Sequence, residues 1–223
     1  MPRTILCLLF ILFCTSAATS ETLYYRETTG DAVINHIYQF SFTGGLHHLK
    51  TRHSYGTMEY VMDTRLETLS WTAFDEDNGT DLQAVRDGKY IHVEGWYSGK
   101  RINKKFKVGN DSWIQSAWFV LQEFVRSDKK KIIFQTFRIT DMSLNKMEAK
   151  RKQSENIQVG GKKVECVMVQ LNATGFLPAL WNAKFWFRKS DGRFMYYESI
   201  HGIPGFTPLT VIEYLGPGSE PGE

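Results

Sequence analysis

The sequence predicts a mainly β protein: one large, curled antiparallel sheet with a single helix laid across its concave face. Three observations carry that reading. Short alternating segments recur along the chain, punctuated by Gly-Gly, Asp-Gly and Ser-Gly turn signals. One segment breaks that rhythm. Ser112 to Arg126 carries apolar residues at positions 113, 114, 117, 118, 121, 124 and 125, the stripe of an amphipathic helix. The third observation is Trp181 to Tyr197, which reads as a β-hairpin turning at Lys189-Ser190-Asp191-Gly192. Ala183, Phe185 and Phe187 fall on one face of its first arm, and Lys184, Trp186 and Arg188 on the other. The return arm, Arg193 to Glu198, holds Phe194, Met195, Tyr196 and Tyr197. Aromatics on both faces imply that neither face is simply wet.

Taken in order, Glu21 to Thr28 is a first strand. Ala32 to Thr43 is a second, turned by Gly44-Gly45 into the His-rich stretch Leu46 to Tyr55. Met58 to Phe74 is long, with a bend near Asp63, and Asp75 to Thr80 is a loop. Leu82 to Val85 and Tyr90 to Trp96 form a hairpin about Asp87-Gly88, followed through Ser98-Gly99 by Arg101 to Val108. In the helical segment, Ser112 with Gln115 has the spacing of a capping box. Strands resume at Lys131 to Ile139. Asn145 to Glu155 is so charged that as a strand it would be solvent-exposed, at an edge. Gly160-Gly161 leads into Val164 to Leu171, Thr174 to Leu180 reads as a loop or one helical turn, and Ile203-Pro204-Gly205 precedes the last strand, Leu209 to Leu215. That gives roughly ten strands and one helix, and a sheet of that size curls or splits rather than staying flat.

The first twenty residues read as a secretory signal peptide: Arg3, a nine-residue apolar run from Ile5 to Phe13, then small residues, with cleavage near Ala18 or Ser20. Cys14 raises a lipid anchor as an alternative, but Phe13 before it is poorly suited to a lipidation motif. The expected domains are therefore 1–20 signal peptide, 21–215 a single β domain, and 216–223 a polar, Gly/Pro-rich disordered tail. The mature chain would be periplasmic or secreted, with no transmembrane helix. The formal net charge is +3, and losing Arg3 with the leader lowers it by one, so there is no nucleic-acid footprint. Cys7 and Cys14 leave with the leader, and Cys166 remains alone as a thiol buried in a strand rather than half of a disulfide.

Two sections, taken together, resemble a family. One is Trp113 to Phe137, an aromatic helix followed by a basic strand. The other is Asn156 to Leu215, with Gly160-Gly161-Lys162, Gly175, Trp181 to Arg188, Ser190-Asp191-Gly192 and Gly202-Ile203-Pro204-Gly205 before the final strand. This resembles uncharacterised exported bacterial proteins whose fold is similar to the lipoprotein-carrier (Lol-type) half-barrels. The resemblance implies an unclosed barrel with a helical lid over an apolar cavity that accepts acyl chains. It carries over no catalytic residue.

The remaining constellations carry little chemistry. His47 and His53 share a strand face but lie roughly 20 Å apart at strand rise, too far to ligate one ion. Asp75, Glu76 and Asp77 lack the register of a calcium loop. No nucleophile elbow or phosphate loop is present, and nothing in the sequence places paired carboxylates such as Glu94 and Asp63 together. Asn78, Asn110 and Asn172 head glycosylation sequons that matter only in a eukaryotic host. What remains is the aromatic content, six Trp, ten Tyr and fifteen Phe. From it Trp113, Trp118, Leu121, Phe176, Trp181 and Trp186 are read as the wall of a ligand cavity, with Trp118 and Leu121 facing the hairpin and Trp118 coupled to Trp186. The function expected is an exported, non-catalytic binder of a lipid, acyl chain or lipoprotein-like amphipath from the cell envelope, needing no cofactor or metal. An enzyme with an unrecognised carboxylate or His site in the same cavity, and a structural envelope protein without a ligand, stand as alternatives.

Overall fold

The computed structural model describes residues 19–174, 182–200 and 207–217. The leader up to residue 18, Phe176, Trp181, the turn at 203–205 and most of the tail lie outside them.

The chain runs β1 (Thr19–Thr29), β2 (Ala32–Thr43), β3 (Leu46–His53), β4 (Gly56–Met62), β5 (Thr68–Asp75), β6 (Thr80–Asp87), β7 (Tyr90–Tyr97) and β8 (Lys100–Lys107). After these come α1 (Ala117–Arg126), then β9 (Lys131–Arg138), β10 (Ser143–Val159), β11 (Lys162–Ala173), β12 (Asn182–Arg188), β13 (Phe194–Ile200) and β14 (Leu209–Gly216). All fourteen strands belong to one antiparallel sheet. Two meanders, β1 to β8 and β9 to β14, join where β1 pairs with β14. The two ends of the described chain therefore meet in mid-sheet, and the sheet's own edges are β8 and β9. The expected curled half-barrel with one helix is the architecture found. One of the strands beyond the roughly ten expected comes from the long run 58–74, which is two strands folded at Asp63, whose carboxylate accepts hydrogen bonds from the backbone N–H of Arg65 and Glu67.

Cross-strand register assembles the core. Phe40, Leu49, Tyr60, Trp71, Ala84 and Val93 are successive partners across β2 to β7, and all but Phe40 are buried. On the other meander Val169, Phe185, Tyr197 and Ile212 form the matching row. Gly95, at φ 123°, lets β7 pass close to its neighbour: a Cβ there would lie 2.1 Å from the Asp81 carbonyl.

Helix α1 is shorter than its apolar stripe. Residues 112–116 are extended because better backbone partners exist for them in the sheet. The Ser112 carbonyl accepts from the Gln135 N–H at 2.8 Å, Ile114 N–H donates to the Gln135 carbonyl at 2.9 Å, and the Trp113 carbonyl accepts from Thr68 N–H at 2.8 Å. The Ser112/Gln115 capping box is absent. The Ser112 hydroxyl goes to Glu67, and the Gln115 amide clamps Phe137, accepting from its N–H at 3.0 Å and donating to its carbonyl at 2.8 Å. Residues 112–116 thus sew edge strand β9 to β5, and Trp113 is wholly buried in the seam. The helix begins at Ala117 after Ser116, whose hydroxyl makes no capping bond. It ends under Arg151, which donates to the carbonyls of Val125 and Ser127 and so satisfies two C-terminal acceptors.

Strand β10 corrects a second expectation. Its first half is interior, between β9 and β11, with Met147 and Ala149 buried. Only beyond Lys150, where β9 ends, does it become an edge.

Cys166 lies on β11, fully buried, and burial pushes its thiol up to about 11. The native protein is therefore expected to react with a thiol reagent at neutral pH far more slowly than the urea-unfolded chain, since the thiolate is the nucleophile. Equal rates in a time course of thiol labelling would contradict this placement.

Candidate functional site

A cleft of about 410 Å³ opens between α1 and strands β1 to β3. Strand alternation builds its floor: Leu23 on β1 pairs with Tyr38 on β2, and Phe40 lies two residues further on the same face. The helix supplies the facing wall. The Trp118 ring lies 4.7 Å from that of Tyr38, 5.8 Å from Phe194 and 6.2 Å from Tyr25. Phe119 packs on Phe40 at 4.5 Å. Leu66 closes one end. The Asp63 turn holds it at φ 63°, a left-handed conformation that an apolar side chain rarely adopts, and its burial in the cleft compensates the strain.

The rim is polar. Arg193 donates to the Tyr214 hydroxyl at 3.0 Å and pairs with Glu21. Arg126 donates to the Asp191 carbonyl at 2.8 Å and pairs with Glu123. Asp191 is itself held by Arg188, at 2.8 Å from its Nε, and that bond lowers its carboxyl below the usual range. The rim charges therefore arrive already paired. His47 stacks on Phe40 and lies tilted against Phe42, and burial lowers its pKa from the ordinary histidine value against the pull of Glu123 and Asp63.

Of the residues read from sequence as a cavity wall, Trp118 lines the cleft. Leu121 is buried beneath α1, and Trp113 sits in the seam at its foot rather than in the opening. Trp186 lies on the opposite face of the sheet. Phe185 and Phe187 point to the helix side, where both pack on Phe194. Trp186 alternates outward, meeting Tyr196 at 5.4 Å and donating from Nε1 to Glu155 at 2.7 Å. The expected coupling of Trp118 with Trp186 is replaced by contact of Trp118 with Phe194. Phe176 and Trp181 fall outside the described residues. Leu23, Tyr38, Phe40, Phe119, His47 and Arg193 were not read from sequence as residues of the cavity. The alternation of Tyr38, Phe40 and Phe42 was visible there, but not that the helix would settle on those strands.

The other constellations stay apart. His48 lies one residue from His47 and so faces the other way, while His53 packs against His36 with ring centres 5.4 Å apart and the rings tilted. Glu94 lies in a row with Gln83 and Asn103, away from the Asp63 turn. Among the described residues no group of three or more His, Cys, Asp or Glu side chains is placed to hold a metal ion, and no helix is long and apolar enough to cross a membrane.

No protein-family model and no curated protein sequence matches this chain. Among solved structures, it is similar to a beta-barrel-like protein of the domain of unknown function DUF1849 from Brucella abortus, with a TM-score of 0.54 and 11% identity over 87% of this chain and 97% of that one. It is also similar to the hypothetical lipoprotein YmcC from Escherichia coli K12, with a TM-score of 0.40 and 12% identity over 89% of this chain and 87% of that one. At such identities the first likeness shows a shared fold: this chain has the open, barrel-like sheet of a protein whose domain has no known function.

Proposed function

We propose that this protein is exported to the periplasm or beyond and acts as a non-catalytic binder, holding a lipid, an acyl chain or a lipoprotein-like amphipath in the cleft under α1. The likeness to Lol-type carriers read from sequence belongs to this proposal, as does the division into leader, single half-barrel domain and tail. The observation that carries it is the cleft's composition. An apolar floor of Leu23, Tyr38 and Phe40 and a facing wall of Trp118 and Phe119 meet a polar rim, and the volume of about 410 Å³ suits a small ligand. The driving force is removal of apolar surface from water, about 25 cal/mol per Å². The paired rim charges keep the mouth wet while the floor stays dry.

Mass spectrometry of an organic extract from natively purified protein tests this. One amphipath should be recovered in an amount comparable to the protein, and it should be missing from Phe119→Glu, which puts a charge in the helix wall of the cleft. Extracts of the two proteins that do not differ, with no dodecyl amphipath binding the natural protein when added back, would end the proposal.

A further inference from the structure

We propose that the cleft selects an amphipath whose headgroup is uncharged and hydrogen-bonding, a hydroxyl or an amide, and discriminates against a carboxylate or phosphate of the same chain length. This rests on the reading of the cleft as a binding site. The argument comes from which of its polar groups are already committed. Both guanidiniums of the lining are engaged by the chain itself, Arg193 by Glu21 and Tyr214, and Arg126 by Glu123 and the Asp191 carbonyl. Neither offers an unmatched positive charge. An entering anion would have to break one of those pairs, and would then lie beside the carboxylate it displaced. Desolvating a charge without a partner is the most costly thing a cleft can ask of a ligand.

The lining groups that are not committed are all uncharged. Among the described residues the side chains of Thr64 and Gln122 make no hydrogen bond, and His47 Nε2 makes none either. His47 supplies a second argument. Its Nδ1 is buried against the neighbouring rings with no partner. Protonating the ring would place an N–H there with nothing to receive it, so the imidazole stays neutral, in line with its lowered pKa. With Nδ1 unprotonated, the neutral ring carries its proton on Nε2, which can donate to a hydroxyl or carbonyl oxygen but supplies no counter-charge to an acid.

Calorimetric titration with two probes of equal chain length, 1-monododecanoylglycerol and dodecanoate, each below its critical micelle concentration at pH 7.5, separates the possibilities. The apolar contribution is common to both, so the difference reports the headgroup. The glycerol ester is expected to bind at least about tenfold more tightly, the factor expected for one well-placed hydrogen bond against an unpaired charge. His47→Phe, which keeps the stacked ring, and Gln122→Leu, at the rim of the helix, should each reduce the preference several-fold by weakening the ester and leaving dodecanoate unchanged. Dodecanoate binding as tightly as the ester, or both variants keeping the full preference, would overturn the inference and leave the cleft as a binding site. Binding of neither probe would overturn both readings together.

Discussion

Replacing Trp113 with alanine is expected to lower the unfolding free energy by about 3–5 kcal/mol, the range for deleting a fully buried large aromatic. The expectation follows from place as much as size. Trp113 has no exposed surface. Its indole N–H donates to the Gln115 side chain at 3.1 Å, and Gln115 in turn clamps the backbone of Phe137. The backbone of Trp113 ties β5 to the segment that bridges onto β9. Removing the ring opens a cavity and loosens the clamp at once, in a segment that joins the two meanders away from the β1–β14 pairing. Ser112→Ala removes only the hydroxyl bond to Glu67 and is expected to cost about 1 kcal/mol. Urea unfolding followed by tryptophan fluorescence measures both. A Trp113→Ala loss no larger than that of Ser112→Ala would show that the segment does not hold the seam.

Trp118→Ala is expected to abolish binding of a dodecyl amphipath while costing about 1–3 kcal/mol of stability, less than full burial would give because the ring is only partly buried at the cleft. A double-mutant cycle decides what the ring touches. Phe194 lies 5.8 Å from it, and Tyr25 packs on both. Trp118→Ala with Phe194→Leu should therefore be non-additive by roughly 0.5–3 kcal/mol. Trp118→Ala with Trp186→Ala should add to within about 0.5 kcal/mol, because the sheet separates the two rings. Coupling to Trp186 and none to Phe194, in the same unfolding measurements, would mean that the helix packs against a different surface.

Much of this fold is legible in the sequence because strands and turns are local. The hairpin of β12 and β13 follows from the alternation 183–188 and from Asp191-Gly192, where Gly192 sits at φ 71°. The assignment of Phe185 and Phe187 to one face and Trp186 to the other was likewise readable. What was misjudged there was which face meets the helix. The start of α1 was misread for a physical reason: an apolar stripe records which residues avoid water, and Trp113 and Ile114 avoid it in an extended segment as completely as they would in a helix. Only the bonds from Gln135 and Thr68 choose between the two, and neither residue is near in sequence. The charged run 145–155 misled in the same way, since a strand can be interior to a sheet by hydrogen bonding while half of its side chains remain in water.

The sequence by itself determined that this is a β protein with one amphipathic helix, that its turns fall at Gly-Gly, Asp-Gly and Ser-Gly, and that Cys166 lies in a buried strand. The tertiary structure alone decided that β1 pairs with β14, that residues 112–116 close the seam, and that the cleft gathers Leu23, Tyr38, His47, Trp118 and Arg193. Periodicity fixes how each residue is oriented on its own element. The content of a cleft depends on which oriented faces come to lie opposite one another. Here that is set by pairings between segments more than 150 residues apart, such as Tyr25 with Tyr214 and the Tyr25 hydroxyl donating to the Phe194 carbonyl at 3.1 Å across 169 positions.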